Sequence, residues 1–269
     1  MNWTNSPEHL KALSKVKCFV LDMDGTFYLG NNLIEGSLRF YEEIYKAGKQ
    51  ILFLTNNSSH NRRYYVEKLN RMGCPATEAN IYTSGMATCQ YLNRYHPGKT
   101  VGLLGNEFLH EEFAGYGITV TEDDPDILVA GFDTSLDYRK LCIFCDWVRE
   151  GKPYIATHPD FNCPTETGFI PDLGAFMALI EASTGRKADL IIGKPYGDIV
   201  TGMLEMTGLP EDELCICGDR LYTDVATGVN HGILSVCVLS GETHPEDLET
   251  SPVQPHLVFD RLEQILDEI

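Results

Sequence analysis

Short apolar runs alternate with amphipathic segments along most of this 269-residue chain. The apolar run at 18–21 is too short for a helix and rich in strand formers, which favours a fully buried strand of a parallel sheet. Similar runs predict strands at 50–55, 214–217, 233–239 and 257–259. Helical spacing predicts helices at 37–47, 61–72, 198–207, 224–230 and 261–269. The alternation predicts an α/β fold, a doubly wound parallel sheet with helices on both faces.

The middle of the chain repeats this alternation and is expected to form a separate unit. Its strands are predicted at 101–104, 126–130 and 154–157. We therefore expect a core made of residues 1–81 and 183–269, interrupted by an inserted α/β unit at 82–182. Gly102-x-x-Gly105 is interpreted as a turn, because a dinucleotide-binding loop needs a fuller glycine pattern and an acidic partner.

Two aspartates directly follow the first predicted strand. Asp22 and Asp24 are two residues apart, so in an extended chain both side chains point to the same side. Ligands of open α/β sheets bind beyond the carboxyl ends of the strands, where this pair lies. Two carboxylates about 4 Å apart repel by roughly 4 kcal/mol at an effective dielectric constant near 20, so we expect a cation beside them. The alternative is an Asp-Gly turn of an ordinary hairpin, but the residues after Gly25 predict a separate short hairpin with its turn at 30–32.

The net charge, the apolar runs and the cysteines argue against several kinds of partner and site. The formal net charge of −18 opposes attraction to nucleic acid or anionic membranes. No apolar run approaches the length of about 18 residues that a membrane helix needs, and residues 1–17 lack a signal-peptide core, so we expect a cytoplasmic protein. The pair Cys142-x-x-Cys145 lacks two further zinc ligands at suitable spacing and is interpreted as reduced core thiols.

Four short motifs occur in order along the chain, each beside the end of an apolar run. They are Asp22-x-Asp24-Gly25-Thr26, Thr55-Asn56-Asn57, Gly193-Lys194-Pro195 and Asp219-x4-Asp224. Each is weak alone, but four in this order resemble the signatures of the haloacid dehalogenase (HAD) superfamily of phosphatases, over essentially the whole chain. The second and third motifs, with a long insert between them, are most similar to the NagD-like type IIA branch. In that branch the insert is an α/β type 2 cap.

The resemblance implies a Mg²⁺-dependent phosphomonoester hydrolase that acts through an aspartyl-phosphate. Asp22 would be the nucleophile, and Asp24 would protonate the departing oxygen and later take a proton from water. Lys194 would supply a fixed positive charge to the transferred phosphoryl group. The implied phosphate-binding residues are Thr55, Asn56, Asn57 and Lys194. The implied magnesium ligands are Asp22, Asp24 through its backbone carbonyl, Asp219, and Asp224 directly or through another ligand.

The substrate is left open by the sequence. The segment 157–163 follows a predicted strand of the insert and is the best candidate for contacting the leaving group. His158 is predicted to bind substrate there, with a solvent-facing loop residue as the alternative. Sugar phosphates, nucleoside monophosphates, glycerol phosphate and p-nitrophenyl phosphate all remain candidates. The expected partner is a small phosphomonoester, with no nucleic acid and no membrane, and homo-oligomerisation is left open.

Two other classes of function are compatible with some of these residues. A phospho-accepting signalling module of the receiver type also combines an acidic cluster, Mg²⁺, a hydroxyl residue and a lysine on a parallel sheet. In receivers the acceptor aspartate follows an earlier acidic pair, whereas here the acceptor pair comes first and a large insert is present. A catalytically silent binding protein on the same fold is the third hypothesis. It is disfavoured because every reacting residue is present.

Overall fold

The computed structural model of the protein describes residues 5–269, so the part of the N-terminal prediction that concerns residues 1–4 lies outside the described residues. The strands are β1 Cys18–Leu21, β2 Tyr28–Leu29, β3 Asn32–Leu33, β4 Gln50–Thr55, β5 Ile81–Thr83, β6 Val101–Leu104, β7 Ile127–Ala130, β8 Tyr154–Ala156, β9 Asn162–Thr165, β10 Gly168–Pro171, β11 Leu190–Ile191, β12 Leu214–Gly218, β13 Leu234–Val238 and β14 Leu257–Phe259.

Helices follow most of these strands. They are α1 Pro7–Leu13, α2 Ser37–Lys46, α3 Arg62–Arg71, α4 Ser84–Tyr95, α5 Glu107–Gly115, α6 Tyr138–Arg149, α7 Leu173–Thr184, α8 Gly197–Thr207, α9 Ala226–Asn230 and α10 Pro245–Thr250. Short 3₁₀ turns occupy Glu78–Asn80, Glu211–Glu213 and Leu262–Glu268, and a π-helical turn occupies Leu221–Val225.

A six-stranded parallel sheet forms the core, in the order β14-β13-β12-β1-β4-β5. Alternate residues of β1 face two different apolar clusters. Phe19 packs with Phe40 and Phe53 on one face, and Val20 packs with Leu52 on the other. Burial on both faces explains why β1 is apolar throughout. The predicted doubly wound α/β fold is confirmed, and the ends of β1, β4 and β12 meet at one edge of the sheet.

The insert has its own parallel sheet, in the order β11-β8-β7-β6. Helices α6 and α7 pack together against it around Phe144, Val148 and Ile180. The strand pairing differs from the predicted limits of this unit, residues 82 and 182. β5 pairs in the core sheet, and β11 pairs in the sheet of the insert. We propose that the insert extends from residue 84 to residue 191.

The hydrophobic pattern of the sequence did not predict several short elements. The hairpin β9–β10 is mostly exposed and lacks the alternation of apolar residues that marks a half-buried strand. Strands β5 and β11 have only three and two residues. The predicted terminal helix at 261–269 is a 3₁₀ turn, Leu262–Glu268. Cys145 is buried as predicted, whereas Cys142 is exposed, which corrects its assignment to the core.

Among residues 5–269, no helix is both long and apolar enough to cross a membrane.

Candidate active site

The acidic residues of the first and fourth motifs lie at the ends of neighbouring strands. Asp22 follows β1, and its backbone N–H donates to the carbonyl of Cys217 in β12 over 2.9 Å. Asp219 directly follows β12 and is 2 % exposed. The carboxylate ligand atoms of Asp22, Asp219 and Asp224 all lie within 4.8 Å of one another. The sheet therefore gathers three carboxylates that are up to 202 positions apart (224 − 22) in the chain.

Asp219 is held in one position by the chain around it. Its Oδ1 accepts a hydrogen bond from Thr26 Oγ1 over 3.2 Å, and its Oδ2 accepts one from the Glu242 N–H over 2.7 Å. Gly25 has a φ of +88°, and a Cβ there would lie 2.4 Å from Asp219 Oδ2. At Gly241 a Cβ would lie 2.0 Å from the same oxygen. Glycine is needed at both positions because the carboxylate fills that space.

Lys194 lies between two of the three carboxylates. Its Nζ donates to Asp22 Oδ1 and to Asp224 Oδ1, each over 2.6 Å, and to the Leu54 carbonyl over 3.3 Å. Burial opposes the charged form of Lys194, but the negative charges of Asp22 and Asp224 outweigh burial and raise its pKa. The ammonium is therefore a permanent charge at the bottom of the pocket.

Burial also sets the protonation of the carboxyl groups. It raises the pKa of Asp22 well above its usual value, with Lys194 acting in the opposite direction and Asp224 and Asp219 adding to the rise. It raises the pKa of Asp219 to about 7, with Asp224 adding to the rise. Burial raises the pKa of Asp24 as well, against the opposing charge of Lys68. The raised pKa of Asp24 favours its protonated form, which is the form that a general acid needs.

Asn56 of the second motif binds the backbone of the third motif and a carboxylate of the insert. The side-chain oxygen of Asn56 accepts from the Lys194 N–H over 2.8 Å, and its amide donates to the Lys194 carbonyl over 3.1 Å. That amide also donates to the carboxylate of Asp160, which belongs to the insert, over 3.2 Å. The Asn57 N–H donates to Thr55 Oγ1 over 3.1 Å. The Asn56 side chain is therefore fully used in holding the site together, and its backbone amide is what remains for a phosphate.

One pocket joins these groups to the insert. Its core side is lined by Asp22, Asp24, Thr55, Asn56, Asn57 and Lys194. The remaining lining residues are Asp160, Cys163, Pro164 and Asp172 of the insert and Arg220 and Thr223 of the core. The predicted phosphate-binding residues of the core and the predicted nucleophile thus share one pocket.

His158 lies outside that pocket lining. Its side chain is completely buried, and neither ring nitrogen has a hydrogen-bond partner among the described residues. Its Nε2 lies 3.5 Å from Asp172 Oδ1. The predicted direct contact with substrate does not fit this position, because the ring lies behind the pocket wall, against Asp172. A loop position in the sequence does not show which way a side chain points.

Six pocket residues were given no individual role by the sequence analysis, and three of them, Arg220, Asp160 and Asp172, are charged. Arg220 lies inside the fourth motif, and its Nη1 donates to Asp160 Oδ2 over 3.3 Å. Its Nε lies 2.8 Å from Glu242 Oε2, so the guanidinium joins the insert to the core. Asp160 lies inside the segment 157–163, whose position in the insert was the available signal. Asp172 had no signal, because only the hairpin β9–β10 brings it to the pocket.

Known protein families and individual proteins resemble this chain over most of its length. A haloacid dehalogenase-like hydrolase model matches residues 19–119, and a HAD-hydrolase-like model matches residues 191–265. The acid sugar phosphatase of Staphylococcus aureus MRSA252 is 33% identical over 258 residues, which cover 96% of this chain and 99% of that protein. This chain belongs to the haloacid dehalogenase-like hydrolases.

Solved structures place it more closely within that family. The 4-nitrophenylphosphatase of Thermotoga maritima superposes with a TM-score of 0.92 at 46% identity, covering 95% of this chain and 98% of that one. NagD from Escherichia coli K-12 superposes with a TM-score of 0.86 at 30% identity, covering 94% and 99%. The NagD-like resemblance is confirmed, and the protein is a phosphatase of the HAD type. A receiver-type module has no support in these similarities.

Proposed function

We propose that the protein hydrolyses phosphomonoesters of small metabolites through a covalent phosphoryl group on Asp22. The Lys194 ammonium carries this proposal, because it lies 2.6 Å from both Asp22 and Asp224 at the bottom of the pocket. A charge in that position can hold the nucleophile and neutralise the phosphoryl group during transfer. Asp24, two residues from Asp22, lines the same pocket and is placed to exchange a proton with the ester oxygen.

The donor set fits Mg²⁺. Three carboxylates, those of Asp22, Asp219 and Asp224, converge within 4.8 Å. When all three are ionised, they exceed the single ammonium of Lys194 by two negative charges, which a divalent cation would neutralise. Carboxylate oxygens are the ligands that Mg²⁺ prefers. The side chain of Asp24 is not a member of this cluster, and the family resemblance implies that Asp24 contributes its backbone carbonyl instead. When bound, Mg²⁺ supplies charge that stabilises the phosphoryl oxygens.

In the first step, an oxygen of Asp22 forms a bond to phosphorus while the bond from phosphorus to the ester oxygen breaks. Asp24 gives its proton to that oxygen, and the alcohol leaves. In the second step, Asp24 takes a proton from water as the water oxygen bonds to phosphorus. The bond to Asp22 then breaks, which releases inorganic phosphate and restores both carboxyl groups. Lys194 and the backbone amide of Asn56 would hold the phosphoryl oxygens through both steps.

The class of substrate follows from the relatives as a proposal. Similar proteins are known as an acid sugar phosphatase, a 4-nitrophenylphosphatase and a p-nitrophenyl phosphatase. We propose that small phosphorylated metabolites of the same kind are hydrolysed here, and that p-nitrophenyl phosphate serves as a generic substrate. Assay of the purified protein with Mg²⁺ against a panel of phosphomonoesters tests this. The absence of phosphate release from every member would contradict the proposal. The cytoplasmic location and homo-oligomerisation stay sequence-based hypotheses.

Lys194→Ala is expected to lower kcat/KM for all phosphomonoesters by a similar factor, on the order of 100-fold or more. The reason is that Lys194 faces the transferred phosphoryl group, which every substrate shares. The control is Lys187→Ala, since Lys187 is exposed and lies 3.5 Å from Glu181 of the insert. Steady-state kinetics across the panel measure the effect. A loss confined to one substrate would show that Lys194 contacts the leaving group instead.

A further inference from the structure

Asp172 places a carboxylate on the insert side of the pocket. It is the N-cap residue of α7, and its Oδ1 accepts a hydrogen bond from the N–H of the next residue, Leu173, over 2.6 Å. Among the described residues, Asp172 Oδ2 accepts no hydrogen bond, whereas Oδ1 accepts the one from Leu173. The residue is only 3 % exposed and lines the pocket, so this second oxygen is an acceptor available to a group bound in the pocket.

The neighbouring charged groups already have partners. Both oxygens of Asp160 accept from the Asn56 side-chain amide, over 3.2 and 3.3 Å. Arg220 lies between Asp160 and Glu242, 3.3 and 2.8 Å away, so one guanidinium faces two carboxylates. With Asp172 added, this side of the pocket carries more negative than positive charge. A leaving group with its own negative charge would be repelled there.

The buried ring of His158 lies beside Asp172. Its ring is completely buried, with Nε2 3.5 Å from Asp172 Oδ1. Burial lowers the pKa of His158, with Asp172 acting in the opposite direction and Arg220 and Lys194 adding to the decrease, so the ring is neutral near pH 7. Burial raises the pKa of Asp172 to about 6, with His158 acting in the opposite direction, so this carboxyl group is mostly ionised near pH 7.

We propose that Asp172 is a specificity-determining residue that accepts a hydrogen bond from a hydroxyl group of the leaving group. The enzyme then prefers phosphate esters of neutral polyols over esters whose leaving group carries a carboxylate or a second phosphate. This inference rests on the proposed function, because it concerns the leaving group of the same reaction. A hydrogen bond to a charged acceptor is stronger than one between neutral groups, and an unpaired anion facing an anionic substrate is unfavourable.

The test compares Asp172→Asn and Asp172→Ser with the wild-type protein, since both replacements can still cap α7 without a charge. Asp137→Asn is the matched control: Asp137 caps α6 by accepting from the Lys140 N–H over 2.8 Å and does not line the pocket. The substrates are glycerol phosphate, phosphoglycolate, propyl phosphate and p-nitrophenyl phosphate. The ratio of kcat/KM for glycerol phosphate to that for phosphoglycolate is expected to favour glycerol phosphate in the wild type and to fall by about 10- to 100-fold in both variants.

The other two substrates distinguish a failure of the Asp172 proposal from a failure of the proposed function. The change in kcat/KM for p-nitrophenyl and propyl phosphate is expected to be smaller than the change in that ratio in both variants, because neither leaving group offers a hydroxyl or a carboxylate. An equal loss on all four substrates, or no change in the ratio, would overturn the role of Asp172. A wild-type enzyme that hydrolyses phosphoglycolate as well as glycerol phosphate would overturn it without any variant. If wild type releases no phosphate even from p-nitrophenyl phosphate, the proposed function itself fails.

Discussion

Asp22→Asn is expected to lower kcat/KM for p-nitrophenyl phosphate by roughly four orders of magnitude, as is typical when a covalent nucleophile is removed. The amide keeps the shape of the side chain but can neither attack phosphorus nor serve as an anionic metal ligand. Steady-state kinetics in saturating Mg²⁺ measure the loss. Retention of more than about a tenth of wild-type turnover would exclude Asp22 as the nucleophile, because an enzyme that loses its covalent nucleophile loses most of its turnover.

The control for this substitution separates chemistry from folding. Asp146→Asn removes an exposed carboxylate, 2.8 Å from Arg149 on α6, and should leave kcat/KM unchanged. The thermal midpoint of Asp22→Asn without Mg²⁺ is expected to stay within a few degrees of wild type. We expect this small change because Lys194 still binds Asp224 in the variant, and because burial already disfavours the charged form of Asp22. A large fall in the midpoint would show that the loss of activity reflects unfolding.

Removal of divalent cations is expected to abolish hydrolysis, and added Mg²⁺ to restore it. The reason is the excess of negative charge among Asp22, Asp219 and Asp224, to which a phosphate dianion adds more. Mg²⁺ should also raise the thermal midpoint of wild type, because it binds the folded carboxylate cluster. Asp219→Asn should weaken that rise, since it removes one carboxylate ligand. Full activity in excess chelator, after preparation of metal-free protein, would exclude the metal site.

The chemistry of the core was predictable from the sequence because it is encoded locally. Asp22, Thr55 and Asp219 each lie at the end of a buried apolar run, and parallel strands end at one edge of the sheet. Strand order then brings these residues together without any knowledge of side-chain packing. Lys194 lies in a short loop and Asp224 in the π-helical turn 221–225, both beside the same edge and within motifs that mark their positions.

The insert side of the site could not be predicted in the same way. Asp172 reaches the pocket only because the exposed hairpin β9–β10 brings it there, and no apolar pattern predicts that hairpin. Arg220 was visible inside the fourth motif, but its contact with Asp160 depends on how the insert packs on the core. His158 was assigned to substrate from its position in a loop, yet its ring is buried behind Asp172.

Pre-steady-state kinetics of Asp24→Asn with p-nitrophenyl phosphate test most directly that Asp22 carries the phosphoryl group. p-Nitrophenol is a good leaving group and needs little proton donation, whereas the attack of water needs the base that this variant lacks. We predict a burst of one equivalent of p-nitrophenol per active site, followed by slow turnover. Acid quenching during the slow phase should leave the phosphoryl group on the peptide that contains Asp22. Linear release from the first turnover, with inorganic phosphate formed in step with p-nitrophenol, would contradict the covalent mechanism.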